Sequence, residues 1–436
     1  MPRGRTMSAR TVAPAKRLRG TIAVPGDKSI SHRAAMFNAL ASGPATIENF
    51  LVADDCRSTL GVLRALGVRW ELDEAARVLR VEGSGLRGLR EADDALDCGN
   101  SGTTMRLMAG ILAGQPWFSV LTGDASLRER PMGRIVEPLR RMGAAMDGRD
   151  GGSRAPLAIR GGGLRGIRHA LPMASAQVKS ALLLAGLFAE GATVVEEPAR
   201  SRDHTERMLA AMGARVGAEG PAVRIEPAQE LLPLPLRVPN DISAAAFWMV
   251  AGTVHPDAEI HLTGVGINPT RTGIIDVLRA MGGAISIEEE RTAGGEPVAD
   301  IVVRSSRLEG TEVAGDLIPR LLDEIPVLAV AAAFAQGRTV IRDAQELAVK
   351  ESNRIATTAS QLAGLGARVS ATDDGLIIEG GDGIRGGAGR SFGDHRLAMA
   401  LAIAGLTGSG AVTVEEADAV SVSYPAFWEH LDEVRG

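Results

Sequence analysis

One pattern recurs six times along the chain: an alanine-rich apolar run closes in a small-residue turn, and a β-branched run follows. The six occurrences begin AAMFNALASG, LMAGILAGQP, ALLLAGLFAEG, AFWMVAGTVHP, VLAVAAAFAQG and LAMALAIAGLTG, and each leads into a segment such as PATIENF or GATVVEE. The first part reads as a helix hydrophobic nearly all round, which only an interior position satisfies. The second reads as a strand. Between these joints a string Leu-x-x-(Leu/Met)-Gly ends at Gly67, Gly143, Gly213, Gly282 and Gly366. Glycine after a helical run suits the left-handed position that ends many helices. Helix, strand, helix and a hairpin therefore repeat in units of roughly 70 residues. The last unit lacks the glycine ending and carries FWEHLDEVRG (427–436) in its place. Repeated α/β layers are predicted, not a Rossmann sheet.

Composition narrows the function. The 436 residues are 45% hydrophobic and 23% charged, as in soluble globular chains. A net charge of −5, with eight Phe, four Trp and one Tyr, argues against nucleic-acid binding, which draws on cations and stacking rings. Cys56 and Cys98 make no disulfide framework and no zinc spacing, and they fit a reducing compartment. The uncharged stretch Leu397–Val414 is broken by Gly405, Gly408 and Gly410, so it reads as buried helix, turn and strand, not a membrane span. The first nineteen residues carry Arg3, Arg5, Arg10, Lys16, Arg17 and Arg19 without an acid. No apolar stretch follows to make a secretory signal. An organellar presequence and a solvated basic tail both fit, and the tail is the expectation. A cytoplasmic protein is expected.

Polar chemistry gathers just before the apolar helices, in PGDKSISHR (25–33), DCGNSGTTMR (97–106), MASAQVK (173–179), PNDIS (239–243), LLDEIP (321–326) and FGDHR (392–396). Ser, Asp and Asn there are ordinary N-caps. Lys28, Arg33, Arg106, Lys179 and Arg396 exceed capping, because helix N-termini already favour anions and a cation deepens the site. LRERPMGR (127–134), SRDHTER (201–207), NPTRTG (268–273) and VKESNR (349–354) open the other helices with arginines, whose forks match carboxylates and phosphates. Solvated helix faces are the plain alternative for any one of them. GGG (161–163) lacks the context of a dinucleotide fingerprint, no phosphate-binding G-x-x-x-x-G-K-(S/T) loop occurs, and no H-E-x-x-H spacing suggests a metal. No G-x-S-x-G elbow supports a hydrolase. His32, His204 and His395 each neighbour an arginine and are candidates for anion contact or for plain structure. Asp323–Glu324, opening one helix, and Glu351, opening another, are the best acid/base candidates.

PGDKSISHRA, GNSGTTMR, RERPMGR, SAQVKSALLLAGL, VKESNR and GDHRLAMA, in this order, resemble the 5-enolpyruvylshikimate-3-phosphate synthase family over about residues 15 to 430. GDKS, SAQVK, RDHTE and NPTR look like its bacterial class II, some of whose members tolerate glyphosate. The resemblance implies a two-domain inside-out α/β barrel of the enolpyruvyl transferase type, with six βαβαββ-like repeats, three per domain. Residues 1–28 plus 240–436 and residues 29–239 would form the domains, with a hinge near 27–29 and 239–242 that closes over substrate. It implies transfer of the enolpyruvyl group of phosphoenolpyruvate to the 5-hydroxyl of shikimate 3-phosphate in the shikimate pathway, without metal or organic cofactor.

By motif match, Lys28 would meet both substrates, and Ser29, Arg33, Ser175, Gln177 and Arg202 would hold shikimate 3-phosphate. Gly102, Arg130, Arg354 and Arg396 would surround phosphoenolpyruvate, with Lys350 and His395 close by. Asp323 would orient and deprotonate the hydroxyl, Glu351 would give the proton to carbon, and Lys28 would assist. Glyphosate is expected at the phosphoenolpyruvate site, and the protein is expected to be a monomer. Val422 stands where many relatives have lysine, and Glu346 where others have asparagine, so neither contact carries over. Glycine at 102, where strongly tolerant members have alanine, implies at most moderate tolerance. The rival acceptor is UDP-N-acetylglucosamine, and the rival class is a non-catalytic anion-binding scaffold. Neither nucleic acid nor membrane is an expected partner.

Overall fold

The computed structural model describes residues 8–435. The chain divides into two compact units. A terminal unit comprises Met1–Pro25, Asn240–Arg291 and Pro297–Gly436; an inserted unit comprises Gly26–Pro239 and Thr292–Glu296.

Each unit contains three of the predicted repeats. In the inserted unit the apolar runs form helices Lys28–Ala39, Gly102–Ala113 and Ala176–Gly186, followed by strands Pro44–Glu48, Phe118–Thr122 and Thr193–Glu196. In the terminal unit they form helices Ile242–Val254, Ile325–Phe334 and His395–Thr407, followed by strands Ala258–Gly266, Arg338–Ile341 and Val412–Glu415. Every residue of His395–Thr407 and of Ile325–Ala333 is buried, as an all-round apolar helix requires. Side-chain size sets how closely two of them approach: a Cβ at Gly110 would overlap the carbonyl oxygen of Ala181 on the neighbouring helix. Each unit has its own hydrophobic core.

The Leu-x-x-(Leu/Met)-Gly strings end helices Asp54–Ala65, Gly133–Met142, His204–Ala211, Gly273–Ala280 and Arg354–Gly364. Gly67, Gly143, Gly213, Gly282 and Gly366 all take positive φ, between +85° and +113°. The local reading of those glycines holds at all five.

Among the described residues, five sheets have four strands and one has three. Each centres on the strand that follows an apolar helix, with a parallel neighbour on one side and an antiparallel strand on the other. In one, Leu96–Asp97 runs parallel to Phe118–Thr122, whose other edge pairs antiparallel with Arg154–Arg160. Two parallel neighbours come from unexpected parts of the chain. Strand Leu18–Ile22, which precedes the first apolar helix, pairs with Ala258–Gly266 of the fourth repeat. Strand Leu236–Arg237, which precedes the fourth apolar helix, pairs with Pro44–Glu48 of the first repeat. The chain passes between units right after each, at Pro25 and at Pro239. The passages are knit by Asp27 N–H donating to Pro239 O and Asp241 N–H donating to Pro25 O, both at 2.8 Å.

The expected basic tail is corrected from residue 8 onward. Ala9–Val12 is a strand, antiparallel to Val412–Glu415. Among the described residues the sixth repeat has no hairpin of its own after Val412–Glu415, and the amino-terminal segment completes its sheet. Arg10 donates to Asp432 at 2.5 Å and lies 4.8 Å above the Trp428 ring. Arg19 is paired with Asp257. Arg3 and Arg5 lie outside the described residues. In place of a glycine ending, helix Phe427–Val434 docks Phe427 against Trp248 and Tyr424, and the Trp248 indole N–H donates to the Tyr424 hydroxyl at 3.0 Å. Leu397–Val414 is the buried helix, turn and strand predicted, and among the described residues no helix is long and apolar enough to cross a membrane.

Candidate active site

The candidate residues fall into two sets, one on each unit. In the inserted unit the Asp27 carboxylate caps helix Lys28–Ala39 by accepting from Ile30 N–H at 2.9 Å. That turn presents Lys28 and Ser29 half-buried at its start. Lys28 Nζ donates to Asp55 at 2.9 Å. The sequence reading missed Asp55, which lies 27 residues away on another helix start. Arg33 is 3% exposed. Its guanidinium donates to Thr205 Oγ1 (2.7 Å), Ser180 Oγ (2.8 Å) and Ser29 O (3.0 Å). Burial pulls its pKa down to about 10, against the pull of Glu206, Asp27 and Glu296, so it stays a cation at neutral pH.

Ser101 caps the helix that begins at Gly102, accepting from Thr104 N–H at 3.1 Å. Beside it, Arg106 donates to Gln177 Oε1 at 2.7 Å and Gln177 Nε2 donates to Thr103 Oγ1 at 3.0 Å. Arg130 is bonded to Asn100, which in turn donates to Asp124 at 2.6 Å. Lys28, Ser29 and Arg33 thus share one helix start, while Gly102, Arg130 and Gln177 meet around Arg106 and Asn100. Ser175 occupies the N-cap of Ala176–Gly186 without a capping bond from its hydroxyl, and Arg202 is half-buried ahead of helix His204–Ala211. Lys179 differs from the anion-site expectation. It is 1% exposed and its ammonium is held by Glu197 and Glu206, each at 2.7 Å, which makes it an internal ion-pair partner.

His32 is fully buried, with Nδ1 2.6 Å from Thr59 Oγ1. Burial above all, with the nearby Lys28 and Arg33 cations, lowers its pKa well below 6.5, Asp27 opposing weakly. The folded protein therefore keeps His32 neutral while the unfolded chain takes up a proton near pH 6.5. Stability that is full above that pH falls as pH drops below it, with a slope of up to about 1.4 kcal/mol per pH unit for one proton. Urea unfolding at pH 7 and pH 5.5 is expected to show a smaller loss in His32→Asn than in wild type; equal losses would remove His32 as the cause.

In the terminal unit the acids converge on one guanidinium. Arg354, 2% exposed, donates from Nη1 to Asp323 (3.0 Å), from Nη2 to Glu351 (2.7 Å), and from Nε and Nη2 to Asp394 (2.8 and 3.2 Å). Burial works against its charge, yet Asp394, Glu351 and Asp323 together outweigh it and raise its pKa. Asp394 itself is fully buried, caps helix His395–Thr407 through Arg396 N–H at 2.9 Å, and accepts from Ser352 Oγ at 3.0 Å. Asp323 and Glu351 each keep 18% of their side chain exposed, so each carboxylate reaches solvent while Arg354 orders it.

Local placement differs from the helix-opening expectation in two details. Asp323 lies in a short 3₁₀ turn, Leu322–Glu324, ahead of the apolar helix. Glu351 precedes the true cap, Asn353, whose side chain accepts from Ala356 N–H at 3.1 Å. Glu324 points inward: it is 1% exposed and takes the Ser243 hydroxyl, beside the buried Arg271. Lys350 is paired with Glu346 at 2.8 Å, one turn apart. His395 and Arg396 are buried at the start of the sixth apolar helix, and Arg396 Nε has no hydrogen-bond partner among the described residues. Among these residues no group of three or more metal-binding side chains occurs.

This fold is that of enolpyruvyl transferases. The chain superimposes with TM-score 0.77 on the enolpyruvyl transferase NikO from Streptomyces tendae, at 20% identity, over 97% of this chain and 96% of that one. It matches an EPSP synthase structure from Acinetobacter baumannii more closely, with TM-score 0.87, 45% identity and 98% of each chain covered. The sequence profile of EPSP synthase (3-phosphoshikimate 1-carboxyvinyltransferase) matches residues 12–431. The 3-phosphoshikimate 1-carboxyvinyltransferases of Chloroflexus aurantiacus and Herpetosiphon aurantiacus are 59% and 57% identical to the chain, covering 98% of it and 98% and 99% of themselves. The chain belongs to the EPSP synthase family.

Proposed function

We propose that this chain transfers the enolpyruvyl group of phosphoenolpyruvate to the 5-hydroxyl of shikimate 3-phosphate, releasing phosphate. The observation that carries the reading is the pair Asp323 and Glu351, ordered on one buried Arg354 and each partly open to solvent. The reaction needs two such groups. One removes the proton of the 5-hydroxyl as its oxygen bonds to C2 of phosphoenolpyruvate, and the other protonates the methylene carbon. From the resulting tetrahedral adduct the methyl group returns a proton, the C–O bond to phosphate breaks, and the enol ether forms. Asp323 is assigned to the hydroxyl and Glu351 to the carbon, with Lys28 assisting. Proton transfers and one C–O exchange account for the chemistry, so no cofactor is assigned.

Ser29, Arg33, Ser175, Gln177 and Arg202 are assigned to shikimate 3-phosphate. Gly102, Arg130, Arg354 and Arg396, with Lys350 and His395, are assigned to phosphoenolpyruvate. The buried, bonded state of Arg33 and the ion pair of Lys350 mean that both reach a substrate only by sharing their donors. The segments near 27–29 and 239–242, beside the passages at Pro25 and Pro239, are the proposed hinge, and the protein is proposed to work as a cytoplasmic monomer. Phosphate release from phosphoenolpyruvate that requires shikimate 3-phosphate, and does not occur with UDP-N-acetylglucosamine, is the expected result. Release with the sugar nucleotide alone would replace the acceptor.

Glyphosate is proposed to compete at Gly102. A Cβ there would stand 2.6 Å from Arg106 Nη1 and 3.4 Å from Arg130 Nη1, so a methyl group displaces the Arg106 guanidinium and packs against that of Arg130. Wild type is expected to have an inhibition constant near its KM for phosphoenolpyruvate. Gly102→Ala is expected to raise that constant about tenfold or more, ~1.4 kcal/mol, with a smaller rise in KM. Inhibition assays at varied phosphoenolpyruvate decide it: a wild-type constant far above KM would refute moderate tolerance.

A further inference from the structure

Three helices of the inserted unit meet through polar side chains, most of which lie outside the substrate assignments above. Thr59 stands one turn after Asp55 on helix Asp54–Ala65, and His32 one turn after Lys28 on helix Lys28–Ala39. The two turns face each other, so Asp55 meets Lys28 at 2.9 Å and Thr59 meets His32 Nδ1 at 2.6 Å. From Thr59 the connection continues 2.7 Å to Thr104 Oγ1, and the Thr104 hydroxyl donates to Ser101 Oγ at 2.8 Å. His32, Thr59, Thr104 and Ser101 are all fully buried.

The directions of these bonds follow from one another. Each hydroxyl has one proton. Thr104 spends its proton on Ser101, so it accepts from Thr59. Thr59 therefore accepts from His32, which must carry its proton on Nδ1. The relay runs one way, from the Lys28 helix to the cap of the helix that begins at Gly102. On the other side of the same turn, Gln177 fastens Thr103 at 3.0 Å. Gly102–Thr103–Thr104 is thus held by side chains from both flanks.

We infer that His32, Thr59 and Thr104 are positioning residues that set the Gly102 turn against Lys28, and that they govern binding of the enolpyruvyl donor and its anionic analogues more than of the acceptor. The inference rests on the assignment of Gly102 to phosphoenolpyruvate. Its physical basis is that a buried donor or acceptor left without a partner is costly, so the turn shifts to re-pair when one link is cut.

Thr59→Val keeps the shape of the side chain and removes the hydroxyl, and Thr59→Ser keeps the hydroxyl. In steady-state assays on the full chain, Thr59→Val is expected to raise KM for phosphoenolpyruvate about fivefold or more, with the glyphosate constant changed alongside. KM for shikimate 3-phosphate is expected to stay within about twofold, and Thr59→Ser to restore wild-type values. Thr104→Ala, which suits a helix, carries the same expectation and serves if Thr59→Val does not fold. Donor and acceptor KM rising equally, no change in either, or failure of the serine variant to rescue would overturn the inference while leaving the proposed reaction intact. Wild type without phosphate release dependent on shikimate 3-phosphate would instead remove the reaction, and the relay's role with it.

Discussion

Glu351→Gln is expected to lower kcat by roughly 10²–10⁴, the usual worth of a positioned proton donor, while leaving the folded protein nearly as stable as wild type. The amide keeps the carboxylate's shape and still offers an oxygen to Arg354 Nη2, now 2.7 Å from Glu351. What it loses is a proton that can be given to carbon and taken back. KM for either substrate should move far less than kcat, because the proton transfer takes place in the transition state and does not hold a ground-state substrate. Asp323→Asn should behave alike, since its carboxylate is ordered by the same guanidinium at 3.0 Å. Pre-steady-state mixing separates the two variants by whether the adduct fails to form or fails to break down. A Glu351→Gln enzyme with kcat near wild type would remove Glu351 from the chemistry.

Arg354→Ala is expected to abolish activity and also to destabilise the terminal unit, a combination that Glu351→Gln should not show. Asp394 is fully buried and takes two bonds from Arg354, so truncation leaves a buried carboxylate without its cation. Removing one partner of a buried pair costs about 3–5 kcal/mol. At about 2–4 °C per kcal/mol for a unit of this size, the melting temperature should fall on the order of 10 °C. Arg354→Lys restores a charge but not the planar fork that serves three carboxylates at once. It should recover much of the stability and little of the activity. Calorimetry of the three proteins checks this: an unshifted transition in Arg354→Ala would mean that Asp394 finds another partner.

The candidate site was legible in part. Lys28, Asp323, Glu351, Arg354 and Arg396 stand in short motifs at helix starts, where free N–H groups and caps leave a recognisable string. Asp27, Ser101, Asp241 and Asp394 all cap as such strings suggest. The residues that hold those side chains in place were not legible. Asp55 is 27 positions from Lys28, and Asp394 is 40 positions from Arg354. Nothing local marks either as a partner, because an ion pair between two helix starts depends on how the helices pack. Lys179 shows the converse error. Its motif is indistinguishable from an anion site until Glu197 and Glu206 are seen to take the ammonium.

The six apolar helices, the strands after them and the five glycine-ended helices follow from the amino-acid order alone. Hydrophobic period and the positive φ that glycine permits act over a few neighbouring residues, so their signals survive in one dimension. The partner of each strand does not. Leu18–Ile22 serves the fourth repeat, Leu236–Arg237 serves the first, and Ala9–Val12 closes the sheet of the sixth. A strand's period sets which side chains it buries but is indifferent to which edge supplies its hydrogen bonds. Those edges, and with them the gathering of Asp323, Glu351 and Asp394 on one arginine, exist only once the repeats have packed around their cores.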